Sequence, residues 1–267
     1  MEDQFVTSED GLFLYHQRLA AYKWLRHGFG LRRSLTDRRE MSLGFNGYQP
    51  IETVIENRRI FVKSLWGREL PLTLLKQTHS DVVLPVVSPG FAAPQEGDGL
   101  VTREPELPIS VQTADCLPVL LVDPCRRAIA AIHAGWRGVL KRIVAKAVRL
   151  MEAEFATNPR DCVAVVGPSI RSCCYEVGDE VVEPFTNEFD YAASLFRDPR
   201  PGEATRKGTQ YLDLSLACRQ QLLDANLLSK NIHANGPCTC CQKHRFFSHR
   251  AEKGNTGRTL SVIGMTF

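Results

Sequence analysis

The stretch DCLPVLLVDPCRRAIAAIHAGWRGVLKRIVAKAVRLMEAEF, residues 115–155, decides the fold. LPVLLVD and RAIAAIHA are short apolar runs separated by turn-forming residues, and each reads as a buried β-strand. Beyond Gly138 the period changes. Val139, Ile143, Val144, Ala147, Val148, Met151 and Phe155 recur at helical spacing with Lys and Arg between them, which predicts a long amphipathic helix. Asn158-Pro159 ends that helix, and CVAVVGP follows as another buried strand.

Working outward, LTLLKQ, DVVLPVV, DGLVT and PISVQT form a dense β region upstream. GLFLYHQ and AAYKWLRHGFG predict earlier strands, the second running into a loop, and PIETVIENRRIFVKSLWG reads as a helix. Downstream, GDEVVEPFTNEF and YLDLSLACRQQLLDAN read as helices, with Pro184 at a turn or first-turn position of the former. RDPRPGEATRKG reads as an exposed loop, and TLSVIGMTF as a terminal strand. Nothing resembles an interdomain linker, so the expectation is one α+β domain over residues 1–267 with a large mixed sheet system.

Composition narrows the function classes. Of 267 residues, 43% are hydrophobic and 24% charged, ordinary for a soluble globular chain. A net charge of +3 is too small and too scattered to imply nucleic-acid or membrane partners. No apolar run reaches the ~18–20 residues of a membrane span. Glu2, Asp3, Glu9 and Asp10 with no apolar core behind them argue against a signal peptide. Nine cysteines, an odd number, do not suit a disulfide framework in a chain this long, and point to a reducing cytoplasm.

Three residues carry the strongest chemical signal: His79 in KQTHSD, Cys116 in QTADCLPVLLVD and His133 in AAIHAGWRG. A lone histidine at a strand end, or a lone cysteine in an apolar strand, is more often structural. Here all three sit where a strand pattern meets a turn. Two imidazoles and a thiolate make the ligand set of a catalytic zinc site with an open position. Their wide separations fit no local finger, so only a folded sheet can unite them. HAGWRG precedes the long helix, and its glycines and Arg137 make it a candidate anion cradle. Asp115 is a candidate to orient a ligand or contact substrate. Asp98, in the GDG turn, reads as a turn residue that also reaches substrate.

A rival metal site lies in PCTCCQKHRFFSHR, where Cys238-x2-Cys241 has ligand-like spacing and His244 and His249 follow. Its cysteine and histidine pairs are too close together for a classical finger. Cys173-Cys174 reads as tight packing near the main site. Walker loops, GxGxxG fingerprints and GxSxG elbows are missing from the sequence.

KQTHSDVV, GDGLV, QTADCLPVLLVD, AIHAGWRG, GPSIRSCCYEVG, CTCC, FFSHR and TGRTLSVI, in this order, resemble the YfiH-type family from HGFGLR at 27–32 onward. Its members were first described as laccase-domain or multicopper polyphenol oxidase proteins. They are now regarded as zinc-dependent purine nucleoside phosphorylases. The resemblance implies a layered α/β/β/α mixed β-sandwich, distantly like cysteine hydrolases and deamidases. It implies zinc, with copper as the other ion, on His79, Cys116 and His133. It also implies phosphorolysis of adenosine, inosine, guanosine and methylthioadenosine, plus adenosine deamination; the expected assembly is a monomer or homodimer. Arg137 is the candidate phosphate ligand, and Asp98 and Asp115 are the nearest candidates for a general acid. The chain departs from the family in LRRSLTDRREMSLGFN, where Gly44 replaces a usual Asn and Asn46 stands nearby. Two other readings compete: a metal-free cysteine hydrolase with Cys116 as nucleophile and His133 as base, and a copper-dependent phenol oxidase.

Overall fold

The computed structural model describes residues 4–89, 95–199 and 208–267. In chain order the strands are β1 Phe5–Thr7, β2 Phe13–His16, β3 Leu25–Gly30, β4 Val83–Pro85, β5 Gly99–Thr102, β6 Ile109–Thr113 and β7 Leu117–Asp123. They continue with β8 Ala128–Ala134, β9 Val163–Val166, β10 Glu176–Val177, β11 Phe196–Arg197, β12 Gln210–Leu212, β13 Ile232–His233 and β14 Thr259–Met265. The helices are α1 Gln17–Ala20, α2 Ile51–Trp66, α3 Trp136–Leu140, α4 Ile143–Phe155, α5 Asp179–Glu188 and α6 Leu214–Asp224.

One sheet has the order β1-β2-β3-β14-β6 and is antiparallel throughout. A second, mixed sheet runs β13-β9-β7-β8-β5-β4, with parallel pairs only at its two edges. A small third sheet, β10-β12-β11, stands apart.

The alternation of side chains along β7 explains why its sequence is apolar without a break. Leu117, Val119 and Leu121 face helices α4 and α6, packing with Val144, Ala147, Met151, Ala217 and Leu222. Leu120 and Val122 point the other way, into a core shared with Phe29, Ile109 and Ile263 of the first sheet. Both faces are buried, so neither alternate position tolerates a polar residue. The outer face of the first sheet, through Phe13, Leu260 and Val262, packs on Phe61 and Leu65 of α2. The result is the expected α/β/β/α layering. No helix among the described residues is long and apolar enough to cross a membrane.

Four local expectations fail, each for a physical reason. The long helix after Gly138 is two helices, because Arg142 adopts a left-handed backbone (φ 62°) between α3 and α4. LTLLKQ is not a strand of either sheet. It crosses between them, with Thr73 bridging to Ile109 and Lys76 to Glu96. In YLDLSLACRQQLLDAN the first residues form β12, and the helix starts only after Asp213, whose side chain accepts from the Leu216 N–H. Pro184 lies inside α5, beyond its first turn. Most of the loop expected at RDPRPGEATRKG falls outside the described residues.

Candidate functional site

His133 is the penultimate residue of β8, Cys116 immediately precedes β7, and β7 and β8 are paired with Pro118 opposite His133. That register brings Cys116 and His133 to one end of the mixed sheet. His79 arrives from the loop before β4, in a left-handed conformation (φ 58°). One ligand atom from each of the three lies within 4.8 Å of the others. Cys116 Sγ is 3.9 Å from His79 Nε2, and the two imidazole rings meet edge to face at 4.9 Å. Gly135 makes this approach possible, because a Cβ there would stand 2.9 Å from His79 Cδ2 and 3.3 Å from Cys116 Sγ.

Asp98 organises both histidines from behind. It is fully buried, and its Oδ1 is 2.7 Å from His133 Nδ1. The same carboxylate accepts from the backbone N–H groups of Thr78, His79 and Ser80 at 3.2, 3.1 and 2.6 Å, and from Ser80 Oγ. Asp98 therefore orients the site instead of facing substrate as expected. With Nδ1 of His133 held, Nε2 is the nitrogen left to meet a ligand.

The charges reinforce one another. Burial alone would raise the Cys116 thiol, but the charge and hydrogen bonds of His133, then His79, bring it down to about 6. Burial alone would lower His133, but the Cys116 thiolate and Asp98 raise it to about 9. Asp98 falls to about 2, because hydrogen bonds from His133 and Ser80 outweigh the effect of burial. A thiolate, a carboxylate-oriented imidazole and a second imidazole this close fit a single zinc ion in donor type and spacing.

The site opens into a cavity of about 610 Å³, large enough for a nucleoside. Phe45, Trp136 and Tyr175 supply its aromatic wall, and His249, Arg250 and Arg258 its basic one. The sequence reading did not single out Arg250 or Arg258, although FFSHR and TGRTLSVI contain them. Arg137 is exposed and does not line the cavity; its guanidinium stacks on Trp136, 4.3 Å from the ring centroid. Asp115 borders the cavity, but its carboxylate is engaged by Thr239 Oγ1 at 2.6 Å and the Arg250 N–H at 2.7 Å. It is a strut between loops, not a free acid. Gly44 packs under Arg258: a Cβ would come within 2.6 Å of Arg258 Cβ. Asn46 lines the cavity and donates from Nδ2 to the Thr256 carbonyl at 2.9 Å.

The rival cluster is rearranged. Cys238 and Cys241 gather with Cys173 and Cys174, and neither His244 nor His249 joins them.

A purine nucleoside phosphorylase YlmD of Bacillus subtilis is 30% identical over 84% of this chain and 82% of its own length. An adenosine deaminase RL5 from an unknown prokaryotic organism is 39% identical over 72% of this chain and 74% of its own. The crystal structure of Bacillus licheniformis YfiH superposes with a TM-score of 0.86 at 28% identity, covering 99% of this chain and all (100%) of the other. The family described as multi-copper polyphenol oxidoreductase laccase matches residues 26–266, almost the whole molecule, and this chain belongs to it.

Proposed function

We propose that the protein is a zinc-dependent purine nucleoside phosphorylase, acting on adenosine, inosine, guanosine and methylthioadenosine, that also deaminates adenosine. The observation that carries this reading is the convergence of His79, Cys116 and His133 at the floor of a nucleoside-sized cavity. Relatives named as a phosphorylase and as a deaminase support the two activities.

Zinc held by His79, Cys116 and His133 supplies a Lewis acid for activating water or stabilising a departing purine. Asp98 holds the proton on His133 Nδ1 and so keeps Nε2 directed at the ion. Trp136, Tyr175 and Phe45 offer flat apolar surfaces for the purine ring. Arg258 and Arg250 place positive charge in the same cavity, where phosphate must lie to attack ribose C1′. Arg137, stacked on Trp136, braces the aromatic wall from outside.

The family name invokes several coppers, but the imidazoles are spread too widely for that. His16, His27 and His233 group elsewhere, and His244 lies outside the cavity lining. A second reading has a specific observation in its favour: Cys116, His133 and Asp98 form a nucleophile, base and orienter in series. His79 has no role in that triad, which favours the metal.

The deciding experiment is elemental analysis together with product identification from adenosine, with and without phosphate. Zinc near stoichiometry, adenine only when phosphate is present, inosine without it, and loss of both products on chelation are expected. Chelator-insensitive turnover with rapid, stoichiometric alkylation of Cys116 would instead establish the cysteine hydrolase.

A further inference from the structure

Cys173, Cys174, Cys238 and Cys241 place four sulfurs within 4.8 Å of one another. Cys241 Sγ is 3.4 Å from Cys173 Sγ and 3.3 Å from Cys174 Sγ. All four thiols are free. We propose that these cysteines form a second, closed metal site that holds one structural zinc ion as a tetrathiolate.

The spacing is the first argument. Four sulfurs at ~2.3 Å from one tetrahedral ion are about 3.8 Å apart, which lies between the closest pairs here and the outer limit of the group. A disulfide leaves two of the four unused, since Cys241 can bond to only one of its two neighbours. One ion uses them all. The local backbone is the second argument. Cys238-x2-Cys241 forms a turn closed by the Gln242 N–H on the Cys238 carbonyl at 3.1 Å.

The location gives the site a purpose. Cys173 and Cys174 lie in the loop between β9 and β10, and the other pair in the segment between β13 and β14. Apart from the cysteines, these segments meet through the Ser169–Cys238 bridge with its neighbouring hydrogen bonds and through Arg171, which donates to the Ala234 carbonyl at 2.9 Å. Tyr175 of the cavity wall follows Cys174 directly, and Thr239 beside Cys238 holds Asp115. Arg250 donates to the carbonyls of Cys174 and Glu176 at 3.4 and 2.8 Å. Tying the two loops through one ion therefore fixes the wall that carries Tyr175 and Arg250. With no coordination position left open, this site takes no substrate. The inference does not rest on the proposed activity.

The test is metal content in a variant whose first site is destroyed. Protein with His133→Ala, purified under reducing conditions, is expected to retain one equivalent of zinc. Cobalt exchanged into it should give the intense near-ultraviolet charge-transfer bands of a four-thiolate site. Adding Cys173→Ser and Cys241→Ser should remove that equivalent, and Cys173→Ser with Cys241→Ser in the otherwise unaltered chain should lower the melting temperature. Should the double cysteine variant fail to fold, zinc and cobalt readings on His133→Ala and Cys116→Ala still decide. Absence of zinc from those variants, with all four thiols reacting freely in the native protein or with a Cys241 disulfide seen by mass spectrometry, would overturn the site.

Discussion

Histidines cluster in two regions of this molecule, and the two clusters behave in opposite ways. In the first, His16, His27 and His233 pack among aromatic rings. The His16 backbone N–H donates to His27 Nε2 at 2.8 Å, and the His16 ring lies 4.7 Å from that of His233 and 5.0 Å from Phe5. Neither ring nitrogen of His16 has a partner. Burial drives His16 to about 4 and His27 to about 3, and lowers His233. In the second, His133 is equally buried yet rises to about 9. The difference is one carboxylate and one thiolate. Asp98 and Cys116 turn an imidazole into a charged or metal-binding group, whereas the first cluster has rings, the chain of β2, β3 and β13 and, near His233, the opposing positive charge of Arg18. Burial of a histidine by itself teaches nothing about function; what its Nδ1 faces does.

The largest expected effect separates the clusters directly. His133→Ala and Cys116→Ala should each lower kcat/KM by roughly 10³-fold, since a Lewis acid is worth several kcal/mol, while circular dichroism stays native. His16→Phe, which keeps a ring beside Phe5, should leave turnover near that of the unaltered protein. Normal activity and full zinc occupancy of the first site in His133→Ala would erase the distinction.

Asp98→Asn asks whether the carboxylate is what distinguishes them. Losing an orienting partner of this kind usually reduces metal affinity or activity by about 10–100-fold. The expected signature is zinc that chelators strip more easily, at little change in melting temperature. Unchanged zinc affinity would mean that His133 is positioned by packing alone.

The charge around the second cluster is tested at its basic wall. Arg258→Ala should reduce phosphorolysis by roughly ten- to hundred-fold, the value of a charge-assisted hydrogen bond of about 1.5–3 kcal/mol. Deamination needs no phosphate and should fall less, and Arg258→Lys should recover only part of the loss. Arg137→Ala, outside the cavity, should have the smaller effect of the two arginines. Equal losses of both reactions in Arg258→Ala would retire its phosphate role.

The remaining effect is on stability and comes from the first cluster. His16 and His27 stay neutral in the folded protein down to about 4 and about 3, against 6.5 when unfolded. Above 6.5 neither state is charged and stability is intact. As pH falls below 6.5 the unfolded chain takes up protons that the folded one refuses, and stability drains until the folded values are reached. The slope is about 1.4 kcal/mol per pH unit for each histidine. Melting temperature should therefore decline between about pH 6.5 and 5, before most carboxylates titrate, and decline less steeply in His16→Phe. A flat profile would show that the rings accept protons in the native state.

Much of the fold was legible because layered sheets leave a strong mark. The apolar runs of β7 and β8 have both faces buried, and α4 keeps a one-sided pattern against them. Elements that cross between layers were harder. LTLLKQ has a strand's composition but spans the gap between two sheets, and nothing local marks the left-handed turn at Arg142. At the site, His79, Cys116 and His133 stood out by residue type and placement. Asp98 looked like a turn residue because the partners of its side chain come from two segments distant in sequence, residues 78–80 and His133. Arg250 and Arg258 lie in short polar strings with no periodicity to flag them.

By itself the sequence determined the strand and helix periods, the α+β class and the three residues with metal-binding chemistry, all properties of residue type and short spacing; the layering followed only from the family resemblance. Only the tertiary structure decided which groups meet. It moved Arg137 out of the cavity, set Asp98 behind His133, joined Cys173-Cys174 to Cys238 and Cys241, and buried His16 and His27 with His233 half-buried beside them. Those outcomes depend on strand register and loop closure over separations of tens of residues, where identity alone leaves a side chain's partner open. A histidine is a ligand or a core residue according to the carboxylate or ring that folding places beside it.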